Sequence, residues 1–426
     1  MQYQEFLDHI YRRYSGNVKL ELGRMEGLLK DMGDPQDQLR GFHVAGTNGK
    51  GSICASLEAL ALAHGCRTGL NTSPHLIDYT ERFRIDGRDL DIQVILEAFN
   101  EYEALFNKWE ASFFEITTAI AFALFARQKP DLSIIEVGLG GRLDATNLFL
   151  PDICAISTIG LDHIKTLGNN LQIIASEKAG IIKSRVPLVL GDIEKPALDV
   201  ILEKAMAKAA PVYQFGKDWK VEIVSDSTAG ICFDYAFGKH FFPGLKSNLM
   251  GEHQAANIGL AITAFILYCQ KHKLQISEKN IRNALMQINW AGRMQVLSTR
   301  PTVIVDGAHN VHGVNALMAT LNKVFPERKL GFVISILADK DYSEMIRLFA
   351  LKAKHIYVAQ NKSDRAASAE DQLLQIAQHQ VPASSYPTVA EAYRTAVKDA
   401  GPDGVVVAGG SLYTVGEVIS AYREDA

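Results

Sequence analysis

The segment Phe42-His43-Val44-Ala45 running into Gly46-Thr47-Asn48-Gly49-Lys50-Gly51-Ser52 constrains this chain more than any other stretch. The first four residues read as a short buried strand. The run from Ser52 to about His64, closed by Gly65, reads as a helix. Strand, glycine-rich loop and helix in that order put backbone N–H groups and a positive helix end where a phosphate can sit. The loop departs from strict Gly-x4-Gly-Lys-Ser/Thr spacing, because Gly51 separates Lys50 from Ser52. The chemistry survives that change. Glycines let the backbone approach phosphate oxygens, and Lys50 supplies a mobile cation. The bland alternative, a glycine-rich turn with an exposed lysine, does not account for the strand before it and the helix after it.

The same alternation continues along the chain. Leu20 to Met32 predicts a helix stopped by Gly33, and Phe114 to Arg127 another; Leu132 to Val137, Ile153 to Ile159 and Val186 to Leu190 predict strands, and Gln172 to Lys178 a helix. Strands alternating with helices predict an α/β fold with a parallel sheet flanked by helices, here a P-loop ATPase-like domain. Lys220 to Phe242 breaks the rhythm with alternating apolar residues and turns at Thr228-Ala229-Gly230 and Gly238-Lys239, which predicts an antiparallel excursion. A second series follows, with strands expected at Thr302 to Val305, Gly331 to Ile336, His355 to Val358 and Val405 to Val407. At 426 residues the chain exceeds one ordinary core. The expected division is residues 1–294 and a smaller, Rossmann-like α/β domain at 295–426.

Composition excludes more than it assigns. Forty-four Lys plus Arg against 48 Asp plus Glu leave a net charge of -4, no footprint for nucleic acid. No apolar run reaches the roughly 18 residues of a membrane span, and the start of the chain lacks the apolar core of a signal peptide. Five scattered cysteines, none in a Cys-x-x-Cys pair, suit a reducing, cytoplasmic compartment. Nothing in the composition demands more than a monomer.

Several segments carry groups suited to Mg²⁺–nucleotide chemistry at the carboxyl ends of predicted strands, where open α/β sheets bind ligands. Glu136 ends a buried strand, Ser73 lies in Thr72-Ser73-Pro74-His75, and Asp162 and His163 follow another strand. Lys178 lies in Glu177-Lys178-Ala179-Gly180. Mg²⁺ takes few protein ligands, usually a carboxylate, so Glu136 leads; its alternative is a rim acid paired with Arg142. A strand-end histidine is more often structural, and most lysines after a helix are solvated. In the second series, Thr302 to Val305 delivers Asp306-Gly307-Ala308-His309-Asn310, and Arg293 sits at the expected junction, Gly292 to Met294. That arginine can grip phosphate or carboxylate bidentately; helix capping for Asp306 and a salt bridge for Arg293 remain open. Gly138-Leu139-Gly140-Gly141 is no dinucleotide fingerprint, because Leu143 stands where the last glycine belongs.

Together these segments resemble the folylpolyglutamate synthase/dihydrofolate synthase family, relatives of the muramyl peptide ligases. The resemblance rests on His43 to Ser52, Thr72 to His75, Glu81-Arg82-Phe83, Phe114-Glu115, Glu136 to Asn147, Asp162-His163, Glu177 to Ile181, Asp306 to Asn310 and Gly409-Gly410-Ser411, in family order across nearly the whole chain. It implies an ATP-dependent, ADP-forming amide ligase that joins L-glutamate to dihydropteroate or folates through an acyl phosphate. By motif match, Thr47, Asn48, Gly49, Lys50, Gly51, Ser52, Asn257, Arg293 and Asp306 would hold ATP. Ser73, Glu136 and His163 would bind Mg²⁺, and His309 would lie near the acyl phosphate and glutamate. Lys50, Lys178 and His309 would be catalytic, with Lys178 carbamylated. Leu20, Ser112, Phe114, Leu143, Asp144 and Ala145 would line the pteroate pocket, and Arg142-Leu143-Asp144-Ala145 resembles the bifunctional type. The alternatives are polyglutamylation alone, a muramyl peptide-type ligase, or a nucleotide switch without ligation.

Overall fold

The computed structural model describes residues 3–13 and 21–425. Leu20, expected in the pteroate pocket, lies outside the described residues. The chain divides into two compact units. One comprises Met1–Glu222, Asp234–Leu245 and Ala256–Asn289; the other comprises Ile223–Phe233, Lys246–Ala255 and Trp290–Ala426. Segments before the 292–294 junction therefore contribute to the second unit.

The first unit is built on eight strands: β1 (Gly41–Ala45), β2 (Thr68–Asn71), β3 (Phe83–Ile85), β4 (Arg88–Asp89), β5 (Leu132–Glu136), β6 (Ile153–Ile156), β7 (Leu188–Leu190) and β8 (Val212–Gln214). They lie in the order β4-β3-β2-β5-β1-β6-β7-β8. β2, β5, β1, β6, β7 and β8 run parallel, while β3 and β4 add an antiparallel edge. Register fixes which residues meet at the carboxyl edge: Val44 stands beside Glu136, Ala45 beside Ile156 and Asn71 beside Ile135. Residues just past these strands therefore form one row.

Two helices explain the burial of both sheet faces. Lys50–Ala63 and Phe113–Gln128 are apolar almost all round, as helices packed on every side must be. Phe122 and Phe125 join Phe6, Phe99, Phe106 and Ile135 in one core, while Ala45, Cys154, Ile156, Ile174 and Ile181 belong to another. Each buried Phe is worth about 1.5–3 kcal/mol. Phe113–Gln128 starts with a capping box, Ser112 and Glu115, and Glu115 is also held by Arg24 at 3.1 Å.

The expected excursion is β9 (Trp219–Ser227), β10 (Gly230–Phe237) and β11 (His240–Ser247), a three-stranded sheet in the order β11-β10-β9. In the second unit, β12 (Gln295–Thr299), β13 (Thr302–Val305), β14 (Leu330–Ile334), β15 (Ala353–Val358), β16 (Ala383–Ser385) and β17 (Val405–Gly409) form a sheet in the order β12-β13-β17-β14-β15-β16. All but β12 are parallel. The short edge strands β12 and β16 were not anticipated from the sequence. Several boundaries move: the helix after the glycine loop starts at Lys50 rather than Ser52, β6 ends at Ile156 rather than Ile159, β7 starts at Leu188 rather than Val186, and β14 ends at Ile334 rather than Ile336.

Candidate active site

The glycine loop is held from one side by the segment after β6, which explains why that strand stops early. Thr47 N donates to Thr158 O at 2.8 Å, and Thr47 Oγ1 accepts from Gly160 N at 2.9 Å. Ser157 Oγ donates to Asn48 O at 2.5 Å. Gly46 has φ 148°, and a Cβ there would stand 1.8 Å from Ser157 Oγ, so only glycine fits. Gly49, with φ 87°, caps the following helix without a side-chain bond to its amides. Asn257 presses on that cap, its Oδ1 only 2.4 Å from where a Gly49 Cβ would lie. The structure thus brings Asn257 to the loop from 208 residues away in sequence.

Two lysines converge on one carbonyl of this loop. Lys50 Nζ donates to Gly46 O at 3.1 Å and Lys178 Nζ to the same oxygen at 2.9 Å. Lys178 is 5% exposed, so the expectation that a lysine in this position is solvated is wrong here. Burial, reinforced by the Lys50 charge, pushes the Lys178 amine from 10.5 down to about 7, with Asp162 and Asp144 opposing the shift. Near neutrality much of it is the uncharged, nucleophilic amine.

Glu136 ends β5 in the same row, 5% exposed, and its Oε2 accepts Ser73 N at 3.0 Å. The pairing of Glu136 with Arg142 considered from the sequence is replaced by another. Arg142 Nε and Nη2 grip Glu177 Oε1 at 3.0 and 2.9 Å. His163 lies in the left-handed region at φ 49°; its side chain is 39% exposed, with Nε2 4.0 Å from Asp162 Oδ1. Among the described residues, no group of three or more His, Cys, Asp or Glu side chains is placed to hold a metal ion. A buried carboxylate beside a serine is nonetheless the oxygen-rich, acid-poor arrangement that suits Mg²⁺ shared with phosphate.

The loop after β5 packs against the end of the Lys178 helix. A Cβ on Gly141 would lie 2.9 Å from Glu177 O, and one on Gly180 would lie 2.3 Å from Arg142 Cα. Phe114 covers Gly138, its Cζ 2.3 Å from the would-be Cβ. Ser112, Phe114 and Leu143 are half-buried and keep a partly exposed side. Ala145 is buried at the start of a 3-10 turn, and Asp144 turns inward to accept Leu139 N at 2.7 Å and Thr146 N at 3.1 Å. Burial raises the Asp144 carboxyl above its usual value, against the hydrogen bonds that lower it.

In the second unit, Asp306 at the end of β13 accepts Met294 N at 2.8 Å and Ala308 N at 2.9 Å. It thereby ties the 292–294 segment to the loop that follows β13. Arg293 lies over Gly307, with Nη1 2.3 Å from a would-be Cβ, and donates to Gly292 O at 3.0 Å. His309 directs Nδ1–H to Gly307 O at 2.8 Å. Helix capping falls to Asn310, whose Oδ1 accepts Gly313 N, and not to Asp306. Ser411, part of the Gly409-Gly410-Ser411 motif, is buried and accepts Thr414 N and Asn361 Nδ2, both at 3.1 Å.

The sheet, the phosphate loop and the second α/β unit define a Mur-type, ATP-dependent ligase, and comparison with known proteins agrees. Residues 44–265 match the Mur ligase middle domain, and residues 292–412 match the Mur ligase, glutamate ligase domain. The chain is 35% identical over 376 residues to dihydrofolate synthase/folylpolyglutamate synthase of Bacillus subtilis, covering 87% of each. It is 33% identical over 421 residues to the enzyme of the same name from Escherichia coli, covering 98% of this chain and 96% of that one. The chain belongs to the dihydrofolate synthase/folylpolyglutamate synthase family. Mycobacterium tuberculosis folylpolyglutamate synthase complexed with ADP superposes with a TM-score of 0.92 at 29% identity, covering 98% of both chains. The bifunctional Yersinia pestis enzyme complexed with AMPPNP and Mn ion superposes with a TM-score of 0.87 at 34% identity, covering 99% of this chain and 98% of that one.

Proposed function

We propose that this chain joins L-glutamate to dihydropteroate and to folates, with ATP giving an acyl phosphate and ADP. The carrying observation is the convergence at Gly46, where Lys50 and Lys178 meet on one carbonyl in a glycine loop beside Glu136 and Ser73. A carboxylate is a poor acylating agent until one oxygen becomes a phosphate leaving group. The substrate carboxylate attacks the γ-phosphorus, its O–P bond forms and the bond to ADP breaks. The glutamate amine then attacks the acyl carbon, phosphate leaves, and a proton leaves the nitrogen. Residues Thr47 to Ser52 and Asn257 hold the phosphates, with Lys50 offsetting their charge. Mg²⁺, held by Ser73, Glu136 and His163, would neutralise charge on the transferred phosphoryl group.

Carbamylation of Lys178 is part of this reading. A neutral amine adds carbon dioxide, forming a C–N bond and releasing a proton, and the product is an anion beside Lys50. The burial of Lys178 against a second cation supports it. Arg293 and Asp306 serve ATP, and His309 serves the acyl phosphate. Ser112, Phe114 and Leu143 to Ala145 line the pteroate pocket. Residues 1–294 and 295–426 act as the two functional domains of a cytoplasmic monomer that takes small-molecule substrates and no nucleic acid. Five free thiols favour that reducing compartment, and among the described residues no helix is long and apolar enough to cross a membrane.

The test is phosphate release from ATP, measured with dihydropteroate and with tetrahydrofolate, each with and without glutamate. Release that requires both the pterin substrate and glutamate is expected. Turnover independent of either refutes ligation, and activity with tetrahydrofolate alone refutes the first of the two activities.

A further inference from the structure

Two sequence motifs that flank the site meet at their ends. His43 heads the segment that becomes the phosphate loop, and Thr146 stands near the end of the segment that begins at Glu136. In the structure they meet, 103 residues apart: His43 Nε2 lies 2.9 Å from Thr146 Oγ1, both side chains fully buried. Thr146 Oγ1 in turn donates to Asp144 Oδ1 at 2.5 Å. A hydroxyl carries one hydrogen, so Thr146 gives its proton to Asp144 and accepts from His43 Nε2–H. That fixes the imidazole as the Nε2–H tautomer and leaves Nδ1, which is buried without a hydrogen-bond partner.

The remaining bonds show what the relay holds. Asp144 Oδ1 also takes Thr146 N, and Oδ2 takes Leu139 N at 2.7 Å, so one carboxylate clamps both ends of the loop 139–146. Phe149 stacks edge-on against the His43 ring at 6.0 Å and closes the far side. Burial, with the Lys183 charge, drives the imidazole down to about 3, so it is neutral at any working pH and is no acid or base for the reaction. An unsatisfied buried nitrogen costs stability, and an apolar residue would avoid that cost. The one hydrogen bond the ring makes is the bond to Thr146.

We propose that His43 is a positioning residue that, through Thr146 and Asp144, sets the loop carrying Leu143 against the strand that carries the phosphate loop. The same strand thus places the ATP phosphates and, through one hydrogen-bonded relay, the wall of the pterin pocket. The inference rests on the reading that Leu143 to Ala145 line that pocket.

Steady-state kinetics on the full chain test it, with His43→Phe, His43→Gln, Thr146→Val and the His43→Phe/Thr146→Val pair. Phe keeps the ring without the donor, and Gln keeps a donor close to the Nε2 position. His43→Phe and Thr146→Val should each raise KM for dihydropteroate about tenfold, as loss of one buried hydrogen bond does. KM for ATP should stay within about twofold and His43→Gln should recover most of the loss. The pair should be no worse than the poorer single variant, since both break one relay. If His43→Phe does not fold, Thr146→Val gives the same reading, because it removes the hydroxyl from the opposite side. Equal rises in both KM values, unchanged kinetics, additive singles or no recovery with Gln overturn the proposal. Leu143→Ala separates it from its premise: an unchanged dihydropteroate KM there refutes the pocket, whereas a raised KM with normal His43→Phe kinetics refutes only the relay.

Discussion

Replacing Lys178 with methionine should stabilise the fold while abolishing ligation, and the stabilisation should depend on pH in one direction. The amine is buried against Gly46 O beside Lys50, and its proton is lost near 7 instead of 10.5. The unfolded chain binds that proton up to about 10.5 and the folded chain only to about 7, so between those values the unfolded state holds more protons. Stability of the wild type therefore rises with pH across that window through this group, and below it the folded state carries a disfavoured charge. At about 1.4 kcal/mol per pH unit the drop from 10.5 to about 7 corresponds to roughly 4–5 kcal/mol. Structural relaxation and water entry reduce it to about 2–4 kcal/mol. Methionine fills similar volume without charge, so Lys178→Met should gain that amount near pH 6 and almost nothing near about pH 10. Urea unfolding of both proteins in carbonate-free buffer across that range measures it. A gain that is constant with pH, or a loss at low pH, would refute the reasoning. Added bicarbonate should flatten the wild-type slope, because a carbamate no longer titrates as an amine.

The other expectations concern the walls of the site. Glu136→Gln keeps an acceptor for Ser73 N but loses the charge, and it should raise the divalent-cation concentration needed for activity by roughly tenfold or more, read from a Mg²⁺ titration of phosphate release. Gly180→Ala places its Cβ 2.3 Å from Arg142 Cα, backbone that cannot step aside; it should cost about 1–3 kcal/mol in thermal unfolding. Gly238→Ala, with φ 55° but nothing within 4 Å, should cost only about 1–2 kcal/mol of backbone strain. Asn257→Ala should raise KM for ATP by about tenfold while leaving KM for dihydropteroate in place, since its side-chain amide packs against Gly49 of the loop.

The parts legible in the sequence were those with local causes. The glycine loop announced itself because strand, loop and helix lie within 25 residues, and Phe113–Gln128 because its capping box and apolar run are contiguous. β16 was missed because a strand of 3 residues carries little periodicity, and β12 because Gln-Val-Leu-Ser-Thr is neither a continuous apolar run nor strictly alternating. Lys178 was ambiguous by itself because most lysines after a helix are solvated; its buried amine meets Gly46 O, 132 residues away in sequence. Pairing of Glu136 with Arg142 was the alternative left open by their closeness in sequence, yet Arg142 pairs with Glu177, where the Gly141 and Gly180 backbones pack against that helix end. Asp144 also clamps its own loop, through Leu139 N and Thr146 N, a role its sequence position did not show. Long-range pairing of this kind leaves no periodic trace.

The strand order has a consequence for how the site is made during synthesis. β1 pairs only with β5 and β6, whose partner residues begin at Ser133 and end at Ile156. Until Ser133 is made the strand that ends in the phosphate loop has no neighbour on either side, and until Ile156 one of its two rows of backbone groups stays open to wrong pairing. At about 5–20 residues per second, the interval between Ala45 and Ile156 lasts roughly 5–20 s on the ribosome. The phosphate loop is thus made early but framed late, and a nascent chain cut short before Ile156 leaves one edge of its strand open to other chains.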